Sequence, residues 1–178
     1  KEILQLIIIT LLAFITPFVV PKLLTTLFGG ESFLATNSQY VVGTIVNTML
    51  ILTGINISGN SKIIGIVTLP SISAMLSGFV FKTASIYTVY MIPAIWLGNF
   101  ALIYLYRKFF VIKKLNYVFT SIIAIITKGI IIFLGFKLLT LITLIPGQGK
   151  VFEALQIAMG MNQLITASLG AIVSYGII

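Results

Sequence analysis

The sequence contains no cysteine, no histidine and no aspartate, and its acidic side chains are limited to Glu2, Glu31 and Glu153. Without cysteine, neither disulfides nor thiolate metal sites can form. Without histidine or paired acids at membrane depth, general acid/base catalysis and metal binding lack their usual groups. The glycine-containing segment PGQGK lacks the spacing and the Ser or Thr of a phosphate-binding loop. We therefore expect no enzyme activity, no ATP hydrolysis, no cofactor and no metal.

Charged residues are also scarce. They make up 8% of the chain, whereas hydrophobic residues make up 59% and the mean hydropathy is +1.19; soluble domains carry roughly 25% charged residues. The apolar runs are continuous, whereas strands of a membrane barrel would alternate. This composition predicts an all-α integral membrane protein forming a single transmembrane domain. In such a protein the net charge of +8 reports loop orientation rather than nucleic-acid binding, so we expect no nucleic-acid partner.

Charged residues, glycine and proline divide the chain into six predicted membrane spans. A span needs about 20 apolar residues, and the spans are joined by short loops. Pro17 and Pro21 are expected to bend or end the first span, which is too long for a signal-peptide core. The numbering opens on Lys1 rather than Met, which leaves the native start open. The predicted spans are 3–20, 40–57, 63–81, 86–104, 117–144 and 152–178.

Basic residues predict the orientation of this six-helix bundle, because they favour the cytoplasmic side of short loops. With both termini in the cytoplasm, the cluster from Arg107 to Lys114 lies inside, together with Lys1 and Lys62. The outer side then carries Lys22, Lys82 and Lys150, and the loops GGESFLATNSQ, KTAS and PGQGK. The basic cluster can also contact anionic lipid or a cytoplasmic partner, but topology explains it equally well. The predicted location is the plasma membrane.

Lys128 is the charge placed deepest in an apolar run, TSIIAIITKGIIIFLGF. A lysine at the bilayer centre costs about 2.5 to 3.5 kcal/mol on insertion scales and usually faces a polar cavity or a partner. We therefore interpret Lys128 as a ligand-binding residue. The alternative is that its ammonium group extends to the membrane–water interface or binds backbone carbonyls. Long side chains do this near helix ends. Its position near the middle of the run weakens that alternative.

Helical spacing identifies further candidates. In the sixth span, Glu153, Gln156 and Gln163 belong to one stripe that continues with small residues towards the C-terminus, and its polar outer half resembles a pocket wall. In the fourth span, Trp96 and Tyr90 are candidates to stack on a flat ligand, although Tyr and Trp also gather at membrane interfaces. Asn47 and Asn99 are predicted buried amides, for which interhelical hydrogen bonds of roughly 0.6 kcal/mol are a sufficient reason; ligand contact is the alternative. We expect Lys128, Trp96, Asn99, Tyr90, Glu153, Gln156 and Gln163 to bind substrate.

Several loosely defined segments resemble the substrate-binding S component of energy-coupling factor vitamin transporters. The similarity covers nearly the whole chain from about Tyr40 onward. The six predicted helices and the substantial first outward loop are also similar to those of this family. The segments that carry it are NTMLILTGINISGNSKIIGIVTLPSISAMLSG, YMIPAIWLGNF and QLITASLGAIVS.

The resemblance implies capture of a vitamin, vitamin precursor or metal ion from outside, in a pocket closed by loops. It also implies docking on a shared transmembrane coupling subunit that works with two cytoplasmic ATPases. Members of the family often carry alanines four residues apart on the first helix for this docking. Here only Ala13 is present, so the docking face is expected to use it with Ala74 and Gly78 or other small residues.

These observations predict a substrate-capture subunit that binds a vitamin-like molecule near Lys128 in the outer half of the bundle. Glu153 leaves open a cationic ligand, or a pair with Lys128 and no ligand. The alternative function is a non-transporting membrane scaffold, such as a cell-shape or assembly subunit, that holds partners with its helix stripes and basic loop. The sequence alone does not name the substrate.

Overall fold

A computed structural model describes residues 2–59, 61–80 and 85–178, and all regular secondary structure in these ranges is helical. The predicted loop residues Lys82 to Ala84, and Lys1, lie outside the described residues. A 3-10 turn, Ser61–Ile63, precedes α4, and a π-helix, Tyr106–Ile112, continues α5. The α-helices are α1 (Glu2–Phe28), α2 (Phe33–Thr36), α3 (Ser38–Asn56), α4 (Ile64–Ser77), α5 (Ser85–Leu105), α6 (Tyr117–Leu141), α7 (Lys150–Met159) and α8 (Met161–Ile177).

Five helical segments among the described residues are long and apolar enough to cross a membrane. They are Glu2–Phe28, Ser38–Asn56, Ile86–Ile112, Tyr117–Leu141 and Lys150–Ile177. The third predicted span, 63–81, corresponds to the shorter apolar segment Ser61–Ser77. At 1.5 Å per residue, the 14 residues of α4 extend about 21 Å, which is less than the roughly 30 Å of a hydrocarbon core. The chain is thus an all-helical membrane protein.

The first helix does not end at its prolines. α1 runs from Glu2 to Phe28 through both Pro17 and Pro21, which are buried against the rest of the bundle. Proline removes one backbone donor and disfavours a helix in water. In a membrane helix it is tolerated, because neighbouring groups satisfy the freed carbonyl and no water competes. The first apolar helix is therefore longer than the predicted span 3–20.

The basic segment after α5 is also helical. Residues Tyr106 to Ile112 form a π-helix instead of the expected loop, and Tyr106 is fully buried. Arg107 donates from Nη2 to the carbonyl oxygen of Ile57 at 2.7 Å, which ties this segment to the end of α3. The next helix, α6, then begins where the Asn116 side chain accepts hydrogen bonds from the backbone N–H groups of Val118 and Phe119.

The sixth predicted span is two helices. α7 ends at Met159 and α8 begins at Met161, with Gly160 between them at φ −105° and ψ −98°. A Cβ on Gly160 would lie 2.8 Å from the carbonyl oxygen of Gln156, so the backbone turns where only glycine fits. Residues of α7 and α8 therefore do not share one continuous helical stripe.

The helices form one bundle whose closest neighbours are α3 with α8, α5 with α6, and α1 with α3 and α4. The main apolar cluster lies at one end and is centred on Leu50, Ile51, Leu102 and Ile103. A second cluster, with Met91, Ile132, Phe136 and Leu155, joins α5, α6 and α7. A third cluster, formed by Val42, Ala74 and Val80, lines the candidate site.

Close contact between α3 and α8 depends on a glycine. A Cβ on Gly170 would lie 2.8 Å from Asn47 Cβ and 2.9 Å from the Thr48 backbone nitrogen. Thr48 also contacts this position, because its hydroxyl donates to the Gly170 carbonyl at 3.3 Å. Small residues at such crossings let membrane helices approach and pack.

We expect Gly170→Ala to destabilise the bundle by about 1–3 kcal/mol, because the added methyl group forces α3 and α8 apart. The matched control is Gly176→Ala in the same helix, where no heavy atom lies within 4 Å of the new Cβ. The gain in helix propensity is larger for Gly170→Ala in the helix interior than for Gly176→Ala in the last turn, so a lower midpoint for Gly170→Ala can come only from packing. Thermal unfolding in detergent should show a lower midpoint for Gly170→Ala than for Gly176→Ala. Equal midpoints would contradict this close packing.

Candidate functional site

A polar cavity of about 90 Å³ lies inside the bundle, between α3, α4, α5, α6 and the junction of α7 with α8. Its apolar wall includes Val42, Val46 and Ile95. The polar side chains that line it come from five different helices, so folding brings together residues far apart in the sequence. They are Gln39, Asn47, Ser71, Asn99, Lys128, Asn162, Gln163 and Thr166.

Lys128 lies in this cavity and is only 3% exposed. Its Nζ donates a hydrogen bond to Asn47 Oδ1 at 2.5 Å, between α6 and α3. The methylene stem packs beside Gly98 of α5, whose missing side chain leaves room for it. An ammonium group carries three N–H donors, and Asn47 is its hydrogen-bond partner among the described residues.

A hydrogen-bonded chain fixes the orientation of the Asn47 amide. Thr166 Oγ1 donates to the Asn162 carbonyl at 2.7 Å, so it accepts from Asn47 Nδ2, which lies 3.1 Å away. Asn47 Nδ2 also donates to the Gly43 carbonyl at 2.8 Å. With both amide hydrogens engaged, Asn47 can present only its oxygen to Lys128. α3, α6 and α8 are thus joined through one polar network.

Lys128 is the titratable side chain of the cavity among the described residues, and no carboxylate lines it. The three carboxylates of the chain lie elsewhere: Glu2 pairs with Lys62 at 3.6 Å and accepts from Ser58, Glu31 is exposed in the turn before α2, and Glu153 is exposed on α7. No ion pair involving Lys128 occurs in the described parts of the chain. A buried charge without a partner is costly, by several kcal/mol in real proteins.

Asn162 adds a second incomplete group. Its side chain is 4% exposed and lines the same cavity, yet neither its amide nitrogen nor its amide oxygen has a hydrogen-bond partner among the described residues. Leaving a buried polar group unsatisfied costs about 1–3 kcal/mol. Lys128 and Asn162 thus both line the cavity, Lys128 with unused N–H donors and Asn162 with an amide that is covered by neighbouring atoms and has no hydrogen-bond partner among the described residues.

The bundle is filled at the end opposite to the cavity. There the Tyr106 hydroxyl donates to Ser121 Oγ at 2.7 Å, and the Tyr117 hydroxyl lies 2.8 Å from the Ala171 carbonyl and 2.7 Å from Ser174 Oγ. The rings of Tyr106 and Tyr117 contact each other, with centroids 5.6 Å apart. This aromatic layer separates the site from the basic end of the molecule. The cavity lies towards the end at which α3 begins, since Gln39, Val42 and Gly43 line it.

Three of the predicted substrate-binding residues line the cavity: Lys128, Asn99 and Gln163. Asn99 is 3% exposed and donates from Nδ2 to the Val67 carbonyl at 3.1 Å, which joins α5 to α4. Trp96 lies next to the cavity and not in its wall. Its indole N–H donates to Ser71 Oγ at 2.8 Å, and Ser71 does line the cavity. In this conformation Trp96 joins α5 to α4 through a hydrogen bond, and its ring does not line the cavity.

The other three predicted residues lie elsewhere. Tyr90 is 44% exposed on the surface of α5. Glu153 and Gln156 line a separate surface groove of about 460 Å³ with Phe133, Gly160 and Met161. The turn at Gly160 directs α7 away from the stripe of α8, which explains the separation. Glu153 therefore forms no pair with Lys128.

The residues expected to form a docking face are mostly inside the bundle. Ala13 is fully buried, and Ala74 is 7% exposed and lines the cavity. Gly78 is exposed and ends α4 in the left-handed conformation, at φ 68°. Small residues serve packing within a bundle as well as packing between subunits. Ala13 and Ala74 are thus packed inside the bundle in this conformation, and their role in docking stays a prediction.

Asn162 and Thr166 were not among the predicted site residues. The signal for them exists in the sequence, because Asn162, Thr166, Gly170 and Ser174 recur every four residues and form one face of α8. All four are buried. The stripe chosen from the sequence crossed Gly160 as if the helix were continuous, and this drew attention to Glu153 and Gln156.

Comparison with protein-family models, curated proteins and solved structures found no match to this chain. The functional interpretation therefore rests on the geometry of the site and on the sequence resemblance.

Proposed function

We propose that this protein is the substrate-capture subunit of an energy-coupling factor importer in the plasma membrane. It binds a small molecule from the outside in the cavity around Lys128 and passes it on through a shared coupling subunit driven by two ATPases. The observation that carries the proposal is a buried ammonium group without a counter-ion, lining a polar cavity in an otherwise apolar bundle.

A binding role accounts for the cost of this arrangement. A lysine needed only for stability would be replaced without loss by an apolar residue of similar size, because buried charges rarely improve stability. Binding sites, in contrast, contain groups that are satisfied only when the ligand is present. Lys128 keeps N–H donors beyond its bond to Asn47, the Asn162 amide has no hydrogen-bond partner among the described residues, and both residues line the same cavity.

The proposed topology has six crossings with both termini in the cytoplasm. In this arrangement Lys62, Arg107, Lys108, Lys113 and Lys114 lie at the cytoplasmic end, and Lys22 and Lys150 at the outer end. The charge distribution supports it, because basic residues concentrate on the cytoplasmic side. α4 then provides the third crossing, and its short length is accommodated by local thinning of the bilayer or by the residues that follow it. The cavity opens outward.

The supply of energy by partners is the part of the proposal that depends on the resemblance. The chain contains no phosphate-binding loop and no histidine or aspartate for a proton relay. A transporter subunit of this composition lacks these two energy sources within its own chain. The resemblance to the S components implies that a coupling subunit with two ATPases supplies the energy.

The test is to recover the tagged full-length chain from its native cells in mild detergent and to identify the proteins that accompany it. We expect a membrane coupling subunit and two ATPases in comparable amounts. Native mass spectrometry of the same preparation should reveal a small bound molecule. Recovery of cell-shape or envelope-assembly proteins instead, without the ATPases, would contradict the proposal and support a scaffold.

A further inference from the structure

We infer that the ligand is a small monocarboxylate whose carboxylate lies between Lys128 Nζ and the Asn162 amide. This inference rests on the proposed function, because it names the substrate class of the same site. It depends on three features of the cavity, namely its charge, its unused donors and its size.

The charge of the cavity selects an anion with one negative charge. Lys128 is the only charged side chain that lines it among the described residues. A cation would be repelled, and a neutral ligand would leave the ammonium without compensation. A dianion such as a phosphate monoester would bring one negative charge too many into a low-dielectric site. One carboxylate balances the single ammonium.

The unused donors match the two oxygens of a carboxylate. Lys128 Nζ has N–H donors beyond the one that binds Asn47, and the Asn162 amide nitrogen has two. A carboxylate accepts on both oxygens, so one oxygen can bind Lys128 while the other binds Asn162. Asn162 also stands in the first turn of α8, where the helix dipole favours negative charge.

The size of the cavity restricts the rest of the molecule. Its volume of about 90 Å³ is below the roughly 300–1,000 Å³ of sites for drug-sized ligands. The walls opposite the polar groups are apolar, with Val42, Val46 and Ile95. A short hydrocarbon or a single small ring fits this description. A vitamin-sized ligand enters only if the helices around the cavity move apart.

Carboxylates of this kind come from two sources, a water-soluble acid or a membrane fatty acid. The small volume of the cavity favours the water-soluble acid, because a long acyl chain would have to extend out of it. The experiment separates the two by chain length.

The test compares acids with their uncharged analogues on the purified full-length protein in detergent. The pairs are propionate with propionamide and benzoate with benzamide, and the remaining probes are propylammonium, methyl phosphate and decanoate. Binding is measured by NMR titration and by the increase in the thermal midpoint. We expect at least one short acid to bind tenfold or more tightly than its amide, with weaker binding of the other probes. In Asn162→Leu, the affinity for that acid should fall at least threefold, with a smaller loss for the amide, because a hydrogen bond to a charged oxygen is the stronger one.

Each other outcome overturns the inference. Equal affinity for acid and amide would remove the role of charge, and preference for propylammonium or methyl phosphate would assign a different class. Tighter binding of decanoate would identify a lipid-derived ligand, and no binding of any short acid would exclude the class. None of these results affects the co-purification of ATPases that tests the proposed function. A failure of the ligand class is therefore distinct from a failure of the proposed function.

Discussion

Replacing Lys128 by Met is expected to lower the affinity for a short monocarboxylate at least tenfold and to leave the protein equally stable or more stable. A tenfold change in the dissociation constant corresponds to about 1.4 kcal/mol. The loss follows because the ammonium is the charged group that attracts the anion. It should be visible in the NMR titration with propionate or benzoate, whichever binds the unaltered protein more tightly.

The expected stability change has the opposite sign to that of an ordinary core substitution. Methionine has a length and volume similar to those of lysine and fills the space beside Gly98. The substitution leaves Asn47 Oδ1 without its donor, at a cost of about 1–3 kcal/mol. It also removes an unpaired buried charge that costs several kcal/mol. Weaker binding together with an unchanged or higher thermal midpoint is typical of a residue retained for function at the expense of stability.

The matched control is Lys137→Met, on the same helix two and a half turns further on. Lys137 does not line the cavity, and its Nζ lies 5.4–5.8 Å from the ring centroids of Phe133, Phe136 and Phe152. Its replacement should leave carboxylate binding unchanged. If Lys128→Met retains binding, or if it unfolds the protein while Lys137→Met does not, Lys128 is a structural residue and the site assignment is wrong.

The helical fold could be predicted because continuous apolar runs without charge leave no alternative to membrane helices. The ends of those helices were harder to predict. Glycine is common in membrane helices, so Gly160 did not identify a break between α7 and α8. The basic residues from Arg107 onward suggested a loop, but Arg107 reaches the Ile57 carbonyl and the segment stays helical.

The depth of Lys128 in the membrane could be predicted from the sequence. Which side chains of the neighbouring helices point into the bundle could not. α5 is apolar around its whole circumference, so its sequence does not define which face is inside. Trp96 and Tyr90 were therefore placed near the ligand by residue type alone, and the structure directs Tyr90 outward. Asn47 and Asn99 were predicted to be buried, and this is confirmed, at 3% exposure each. Their hydrogen-bond partners on other helices depend on how the helices pack, and the periodicity of a single helix does not predict this packing.

Replacing Asn162 by Asp is expected to weaken carboxylate binding at least tenfold and to raise the thermal midpoint of the ligand-free protein. Asp has nearly the shape of Asn, and the Asn162 side chain makes no hydrogen bond that the change would break among the described residues. The new carboxylate would face the cavity that contains Lys128 and would supply the missing counter-charge from within the chain. It thereby takes the place of the ligand anion and also repels it.

The measurement is thermal unfolding with and without the acid, because a ligand that binds only the folded state raises the midpoint according to its concentration and affinity. The unaltered protein should gain stability with added acid, whereas Asn162→Asp should start higher and gain little. Asn56→Asp is the control for an added charge at an exposed position on α3. A small decrease in its midpoint is expected, because the change breaks the bond from Asn56 Nδ2 to the Leu52 carbonyl and places a negative charge at the helix C-terminus. If Asn162→Asp lowers the midpoint of the ligand-free protein, the cavity does not need a negative charge. The electrostatic basis of the monocarboxylate site would then be wrong. If a carboxylate within the chain does not stabilise the protein through Lys128, a ligand carboxylate in the same cavity is not expected to do so.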